Sequence, residues 1–189
     1  MCASEKEQQP KALQNTPPPT YSPEQVGEGI WIYPTDTIYG IGCNATRKEL
    51  VEKIRIIKER DEKPFSIIAP SKKWILEHCD VDPSFLERLP GHYTLLCKKK
   101  DPSFLSWVSS TDIIGIRMIN HSFQQLVSKA GIPFVTTSVN KSGKPPAKKI
   151  QDISNTILEQ VDVVIDEGEL TGRPSTLINT ITGEIIERV

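Results

Sequence analysis

The chain has little of what would assign it quickly. No stretch approaches the roughly 18 apolar residues of a membrane span. Met1 to Thr20 also lacks the apolar centre of a secretion signal, so a cytoplasmic protein without membrane contact is expected. Cysteine is scarce: Cys2, Cys43, Cys79 and Cys97 stand apart without a Cys-x-x-Cys pair, which argues against a zinc ribbon or a dithiol redox motif and for reduced thiols. The three histidines, His78, His92 and His121, show no metal-ligand spacing, so no metal site is expected from side chains alone. A surplus of either charge is missing as well. With 23 Lys and Arg against 24 Asp and Glu, the chain does not read as a generally basic nucleic-acid binder, although a local basic face is compatible with that balance. Gly-x-Gly-x-x-Gly and Ser-His-Asp signatures are absent, and Gly143-Lys144 runs into Pro145 without the glycine spacing of a Walker A loop.

What remains is a chain of 189 residues, 37% hydrophobic and 25% charged, enough for one domain with a real core. Met1 to Tyr21 is polar, contains Pro17-Pro18-Pro19 and shows no periodicity, so a disordered tail is expected there, with the folded domain over 22–189. Ser22-Pro23 starts a short helix before a strand at Ile30. Thr46-x-x-Glu49 reads as a capping box opening a helix to about Arg60, with Leu50, Val51, Ile54 and Ile57 on its inner face. Further strands are expected at Phe65–Ala69, His92–Cys97, Ile113–Ile116, Phe134–Thr137, Asp162–Asp166, Ser175–Asn179 and Glu184–Arg188. Ser71 and Asp82 are expected to cap helices, and two more helices fall near Ser122–Lys129 and Ser154–Val161. Lys98-Lys99-Lys100 reads as a solvated strand end. Helices alternate with strands and hairpin-like strands close the chain, so the fold class is a single α/β domain on a twisted mixed sheet flanked by helices.

The most densely specified stretch is Ile30 to Ala45. A β-branched and aromatic strand ends at Pro34, and Thr35, Asp36 and Thr37 then place two hydroxyls and a carboxylate at a tip that Gly40 and Gly42 keep open to close approach. This is either the floor of a small-molecule site or a hydrogen-bonded turn. Lys58 continues the buried helix face of Val51 and Ile54, so it either snorkels to water or, with Arg60, aims two cations at one anion. Arg117 follows a buried strand, where a charge must be paired or lie at a site mouth. Ser138 to Pro146 is either a phosphate-binding loop or a solvated one. In an open α/β sheet ligands bind beyond the carboxyl ends of strands. Thr35, Arg117, Ser138 and Asn140 all fall at such ends, which suggests a cationic, hydroxyl-lined cleft for an anion such as a nucleoside triphosphate.

These residues carry a family resemblance. Pro34-Thr35-Asp36-Thr37-Ile38-Tyr39-Gly40-Ile41-Gly42 resembles the Pro-Thr-Asp-Thr-x-Tyr-Gly-Leu-Gly signature of the YrdC/TsaC threonylcarbamoyl-AMP synthases. Lys58-Glu59-Arg60 and Ser138-Val139-Asn140 resemble the family's Lys-x-Arg and Ser-x-Asn pairs. Ile116-Arg117 is similar to its Val-Arg element, Ser175-Thr176 to its Ser-Thr pair, and Arg188 to a late arginine. The family's Pro-Gly-Pro-x-Thr is here Pro90-Gly91-His92-Tyr93-Thr94, and Ile119 stands for a family proline while His121 is kept.

The resemblance implies a YrdC-like fold of the short, single-domain type. It also implies synthesis of threonylcarbamoyl-adenylate from L-threonine, bicarbonate and ATP, with magnesium on the phosphates. The product would serve N6-threonylcarbamoylation of adenosine 37 in tRNA through a downstream transferase. It assigns Lys58 and Arg60 to catalysis, and Lys58, Arg60, Ser138, Asn140 and Arg188 to the nucleotide. Thr35, Arg117 and Ser175 fall to threonine. The alternative is a YrdC-like module that binds double-stranded RNA without synthesis, whose mark would be loss of the Lys-x-Arg and Ser-x-Asn pairs. A second rival adenylates another carbamoyl compound, as such domains do inside larger carbamoyltransferases.

Overall fold

A computed structural model describes residues 21–60, 63–141 and 143–188. Nearly all of the expected tail, residues 1–20, lies outside them. Tyr21 is described, and its ring packs edge-on against Trp31 at 5.0 Å. Among the described residues the strands are β1 Ile30–Tyr33, β2 Gly40–Cys43, β3 Ser66–Ile68, β4 Cys79–Asp80, β5 Tyr93–Lys99, β6 Ile113–Arg117, β7 Phe134–Ser138, β8 Val163–Val164, β9 Thr176–Asn179 and β10 Ile185–Ile186. The α-helices are α1 Pro23–Val26, α2 Lys48–Ile57, α3 Lys72–His78, α4 Phe123–Ala130 and α5 Asn155–Leu158. One sheet runs in the order β10-β9-β5-β6-β3-β7-β2-β1-β8, with β4 beside β5. Its pairings are antiparallel except β1 with β8, β3 with β6 and β5 with β9, so it is the expected mixed sheet.

Side-chain alternation splits the core into two layers. Ile30, Ile32, Ile67 and Val135 meet Val51, Ile54 and Ile57 of α2 on one face. Trp31, Tyr33, Ile68 and Phe134 meet Val26 of α1 and Phe123 and Val127 of α4 on the other. The Tyr33 and Phe123 rings stack there at 4.2 Å. Every β1 residue is therefore buried, which is why it reads as a continuous apolar run.

Several expectations change. Thr46 does not cap α2: its Oγ1 donates to Asn44 Oδ1 at 2.8 Å, and Glu49 is taken by Arg47, the residue before the helix, which itself forms no side-chain cap. Helix α2 stops at Ile57 because the Lys58 N–H closes on Ile54 O and Glu59 turns to φ +50°. The Asp82-capped segment Pro83–Arg88 is a 3-10 helix. Strand β2 follows the Thr35–Thr37 turn directly, a hairpin that the glycines at 40 and 42 conceal from any reading by strand propensity.

The lysine run is not uniformly solvated either. Lys99 is 1% exposed, and its ammonium donates to Pro102 O at 2.7 Å, Phe104 O at 3.1 Å and Ser109 O at 3.1 Å. Period-2 alternation turns Lys99 inward between exposed Lys98 and Lys100. Lys99→Met should therefore cost about 2–4 kcal/mol in urea unfolding by stranding three carbonyls, while Lys98→Met stays within about 0.5 kcal/mol.

Candidate functional site

Strand hydroxyls form the floor of the site. Ser66 of β3 sits in register with Gly115 of β6 on one side and Thr136 of β7 on the other. Thr94 of β5 lies on the same face, because Leu96, two residues along, pairs with Gly115. These positions make a small polar patch in an otherwise apolar sheet face. Gly115 is required there, since a Cβ would meet Ser66 Oγ at 2.4 Å. Over the patch lies a hollow of about 230 Å³ lined by Ser66, Thr94, Thr136, Thr35, Thr37, Ser138, Ser175, Arg60, Arg117 and Arg188, with Phe65, Pro146 and Pro174 among the rest. A second hollow of about 270 Å³ adjoins it at Arg60 and Ser138 and adds Lys58, Lys63, Asn140 and Gly143.

The first hollow therefore lies on the sheet face, and for it the expectation of a cleft beyond the carboxyl ends of strands is corrected, while the second lies past the end of β7. That rule belongs to parallel sheets, whose carboxyl ends share one edge. Here β6 and β7 run oppositely on either side of β3, so Arg117 and Ser138 end at opposite edges and meet only because the Arg117 side chain reaches across the face.

The β1–β2 turn is built around Thr35 Oγ1. This hydroxyl donates to Ile38 O at 2.7 Å and accepts from the N–H groups of Thr37 at 3.0 Å and Ile38 at 3.2 Å. The stretch is a hydrogen-bonded turn, and Thr35 and Thr37 also line the hollow. Segment 170–175 lies directly on it, with Gly172 so close that a Cβ would sit 2.2 Å from Thr37 O. Tyr39 Oη secures the start of that segment by donating to Gly168 O at 2.8 Å and accepting from Glu167 N at 2.9 Å.

Besides Lys63, four cations surround the hollows. Arg117, 7% exposed, donates from Nη2 to Asp36 Oδ1 at 2.8 Å, while Asn120 N donates to the other carboxylate oxygen at 3.1 Å. Its Nε is buried without a hydrogen-bond partner. Arg60 donates to Pro64 O at 2.7 Å and distantly to Thr137 Oγ1 at 3.4 Å, and its Nε also lacks a partner. The Arg188 side chain turns back to donate from Nε to Ser175 O at 2.7 Å and from Nη2 to Ser175 Oγ. Ser175 Oγ in turn meets Thr94 Oγ1 at 2.7 Å. Burial, then Arg117 and Arg60, draw the Arg188 guanidinium below the ordinary arginine range, so Arg188 feels both of the other guanidiniums.

Lys58 does not snorkel. It is 2% exposed, and its ammonium donates to Ser138 O, to Asn140 O at 2.8 Å and to Asn140 Oδ1 at 3.4 Å. Burial first, then Arg60, hold its pKa down at about 7. Among the residues lining either hollow there is no Asp or Glu, and among the described residues no group of three or more His, Cys, Asp or Glu could hold a metal ion. No helix among them is long and apolar enough to cross a membrane.

The eight residues singled out from sequence thus gather at two joined hollows. Thr35, Arg117, Ser175 and Arg188 line the first, Lys58 and Asn140 the second, and Arg60 and Ser138 both. Arg188 is on the side of Thr35 and Ser175 rather than beside Asn140. Sequence reasoning missed Asp36 as the Arg117 partner and Ser66, Thr94 and Thr136 as the floor. The available signal for the floor was a hydroxyl residue beside apolar neighbours in each of three strands.

Comparison with known proteins places the chain among relatives. The "Threonylcarbamoyl-AMP synthase" of Vibrio campbellii is 31% identical over 176 residues, covering 87% of this chain and 94% of that relative. The protein of the same description from Coxiella burnetii is 31% identical over 170 residues, covering 84% and 89%. Among solved structures, P. abyssi Sua5 complexed with L-threonine superposes with a TM-score of 0.75 at 25% identity over 86% of this chain, which spans only 51% of that one. E. coli YciO gives a TM-score of 0.70 at 26% identity, covering 83% and 81%. The family model for Sua5, YciO and YrdC, described as "Telomere recombination", matches residues 26–188. The chain therefore belongs to the Sua5/YciO/YrdC family.

Proposed function

We propose that this protein makes L-threonylcarbamoyladenylate from L-threonine, bicarbonate and ATP, releasing pyrophosphate, and so supplies the N6-threonylcarbamoyl group of adenosine 37 in tRNAs reading codons that begin with A. The observation that carries this reading is a hydroxyl-floored hollow joined at Arg60 and Ser138 to a second cationic one, with no carboxylate among the lining residues of either. Such a pair fits a small polar molecule and a polyanion held side by side.

The reaction asks for that arrangement. The threonine amine and bicarbonate give a carbamate with loss of water. A carbamate oxygen then bonds to the α-phosphorus, and the bond to the oxygen bridging to the β-phosphorus breaks. Two anions must meet, and charge grows on the departing pyrophosphate. Lys58 and Arg60 would offset both. Thr35, Arg117 and Ser175 would hold threonine, and Ser138, Asn140 and Arg188 the nucleotide. The Arg188–Ser175–Thr94 chain then ties a nucleotide ligand to an amino-acid ligand, so each substrate would help order the other's site. Positioning and charge neutralisation would supply the rate enhancement. Magnesium would enter on the phosphates as part of the nucleotide, since the lining offers it hydroxyls and carbonyls only. A double-stranded RNA module without synthesis has less behind it, because both the Lys-x-Arg and the Ser-x-Asn pairs are present and bonded to each other through Lys58.

Incubation with ATP, bicarbonate and a panel of amino acids should release pyrophosphate only when threonine and bicarbonate are both present. Turnover with a different acceptor alone would refute the assignment. Lys58→Met should lower kcat/KM by about 10²–10³-fold.

A pH effect follows from the depressed Lys58 value of about 7. Between that value and the ordinary lysine range the unfolded chain binds more protons than the folded one, so this group makes the empty protein more stable as pH rises through that window. A triphosphate beside the ammonium raises its pKa, so ATP binding near pH 8 should take up to about one proton. Calorimetry in buffers of different ionisation enthalpy would measure this uptake, which should vanish in Lys58→Met.

A further inference from the structure

Arg60 stands where the two hollows meet, yet little hydrogen bonding fixes it. One good bond to Pro64 O and one long contact to Thr137 are the side-chain hydrogen bonds it makes among the described residues, and its Nε has no partner. What lies against it is the ring of Phe65, with the Arg60 Cζ 5.1 Å from the ring centroid. Arg55 Cζ is over the same ring at 4.5 Å, so two like-charged guanidiniums share one buried ring.

The ring itself is firmly held. Phe65 is 2% exposed, its N–H donates to Val108 O at 3.0 Å, and Arg55 Nη2 donates to Trp107 O at 2.9 Å and to the same Val108 O at 3.2 Å. Lys99 pins the same loop through Pro102, Phe104 and Ser109. An aromatic face attracts a cation most strongly where water is excluded, and this one is nearly dry.

We propose that Phe65 is a positioning residue for Arg60: the negative face of its ring sets the guanidinium at the junction of the hollows, and anion binding depends on that face rather than on apolar bulk. The inference deepens the synthase reading and rests on it for the identity of the anion. It does not need the complete reaction.

The test replaces Phe65 in the full chain with mono-, di- and trifluorophenylalanine, which nearly keep ring size while weakening the face stepwise. ATP binding is measured by calorimetry alongside the KM values for ATP and threonine and the melting temperature. The dissociation constant for ATP should rise stepwise, by about five- to tenfold at the trifluoro ring, with melting nearly unchanged and the ATP KM moving more than that for threonine. Phe65→Leu should resemble or exceed the trifluoro variant. Arg55 lines neither hollow, so the ATP readout reports on Arg60. A flat series in a protein that turns over normally would overturn the inference alone, as would losses that follow melting temperature instead of fluorine number. A wild-type protein that binds no ATP would overturn the inference and the synthase reading together.

Discussion

Besides Lys63, four cations crowd two small joined hollows, and among the described residues only one of the four has a carboxylate partner. Arg117 has Asp36 at 2.8 Å. Lys58, Arg60 and Arg188 receive backbone carbonyls from Ser138, Asn140, Pro64 and Ser175 instead. The distinction governs the site. A carbonyl satisfies a donor without cancelling its charge, so burial is tolerated while the positive field survives. An ion pair would satisfy the donor and remove the field. The site is therefore held in a state that an anion relieves: burial first, and then the neighbouring guanidiniums, draw Lys58 and Arg188 below their ordinary ranges.

The mixed sheet is what allows this crowding. In a parallel sheet the loops gather at one edge, whereas here β3, β6 and β7 present Ser66, Gly115 and Thr136 side by side on a face. The polar patch is small enough to interrupt the apolar layer formed by Tyr33, Ile68, Phe123 and Phe134 without dividing it. The surrounding core lets the patch exist: α1 and α4 cover the rest of that face, and α2 on the opposite face brings Lys58 and Arg60 to the Ser138–Asn140 loop. Removing Gly115's vacancy would close the floor from within, because its neighbours Ser66 and Thr94 already fill the space around it.

Much of this was legible in the chain itself, for identifiable reasons. Lys58 was readable because it extends the Val51–Ile54 face at helical spacing, and a helix-phase argument survives whatever the helix packs on. The Thr35–Thr37 tip was readable because Pro34 ends a strand that nothing else in the local sequence would end. Strand β2 was not, since glycine has low strand propensity and pairs here for want of a side chain to obstruct its neighbours. The position of the cleft was misread because the rule applied to it assumes a strand polarity that only pairing partners reveal. Asp36 as the counter-ion of Arg117 was invisible for a similar reason: 81 residues separate them, and no local pattern carries that information. The floor could have been suspected from the single hydroxyls within Phe65-Ser66-Ile67 and Tyr93-Thr94-Leu95, each of which breaks an apolar run at one alternation, and from Thr136, the first of three hydroxyl residues that end β7.

Lys58 and Lys99 make the final distinction, because both are almost fully buried lysines whose ammonium groups donate to protein carbonyls. Burial draws both below the ordinary lysine range, but their neighbours act oppositely. Asp101 and Asp112 support the charge on Lys99, whereas Arg60 opposes the charge on Lys58. Lys99 is thus finished as it stands: its carbonyl cage closes a loop, acidic groups balance it, and a further anion would gain little. Lys58 is unfinished, because the cage holds its donors while a cation presses on it and an open hollow adjoins it. Carbonyl caging alone therefore does not mark a functional lysine. A second uncompensated cation beside it does, since that excess is what an anionic substrate can neutralise.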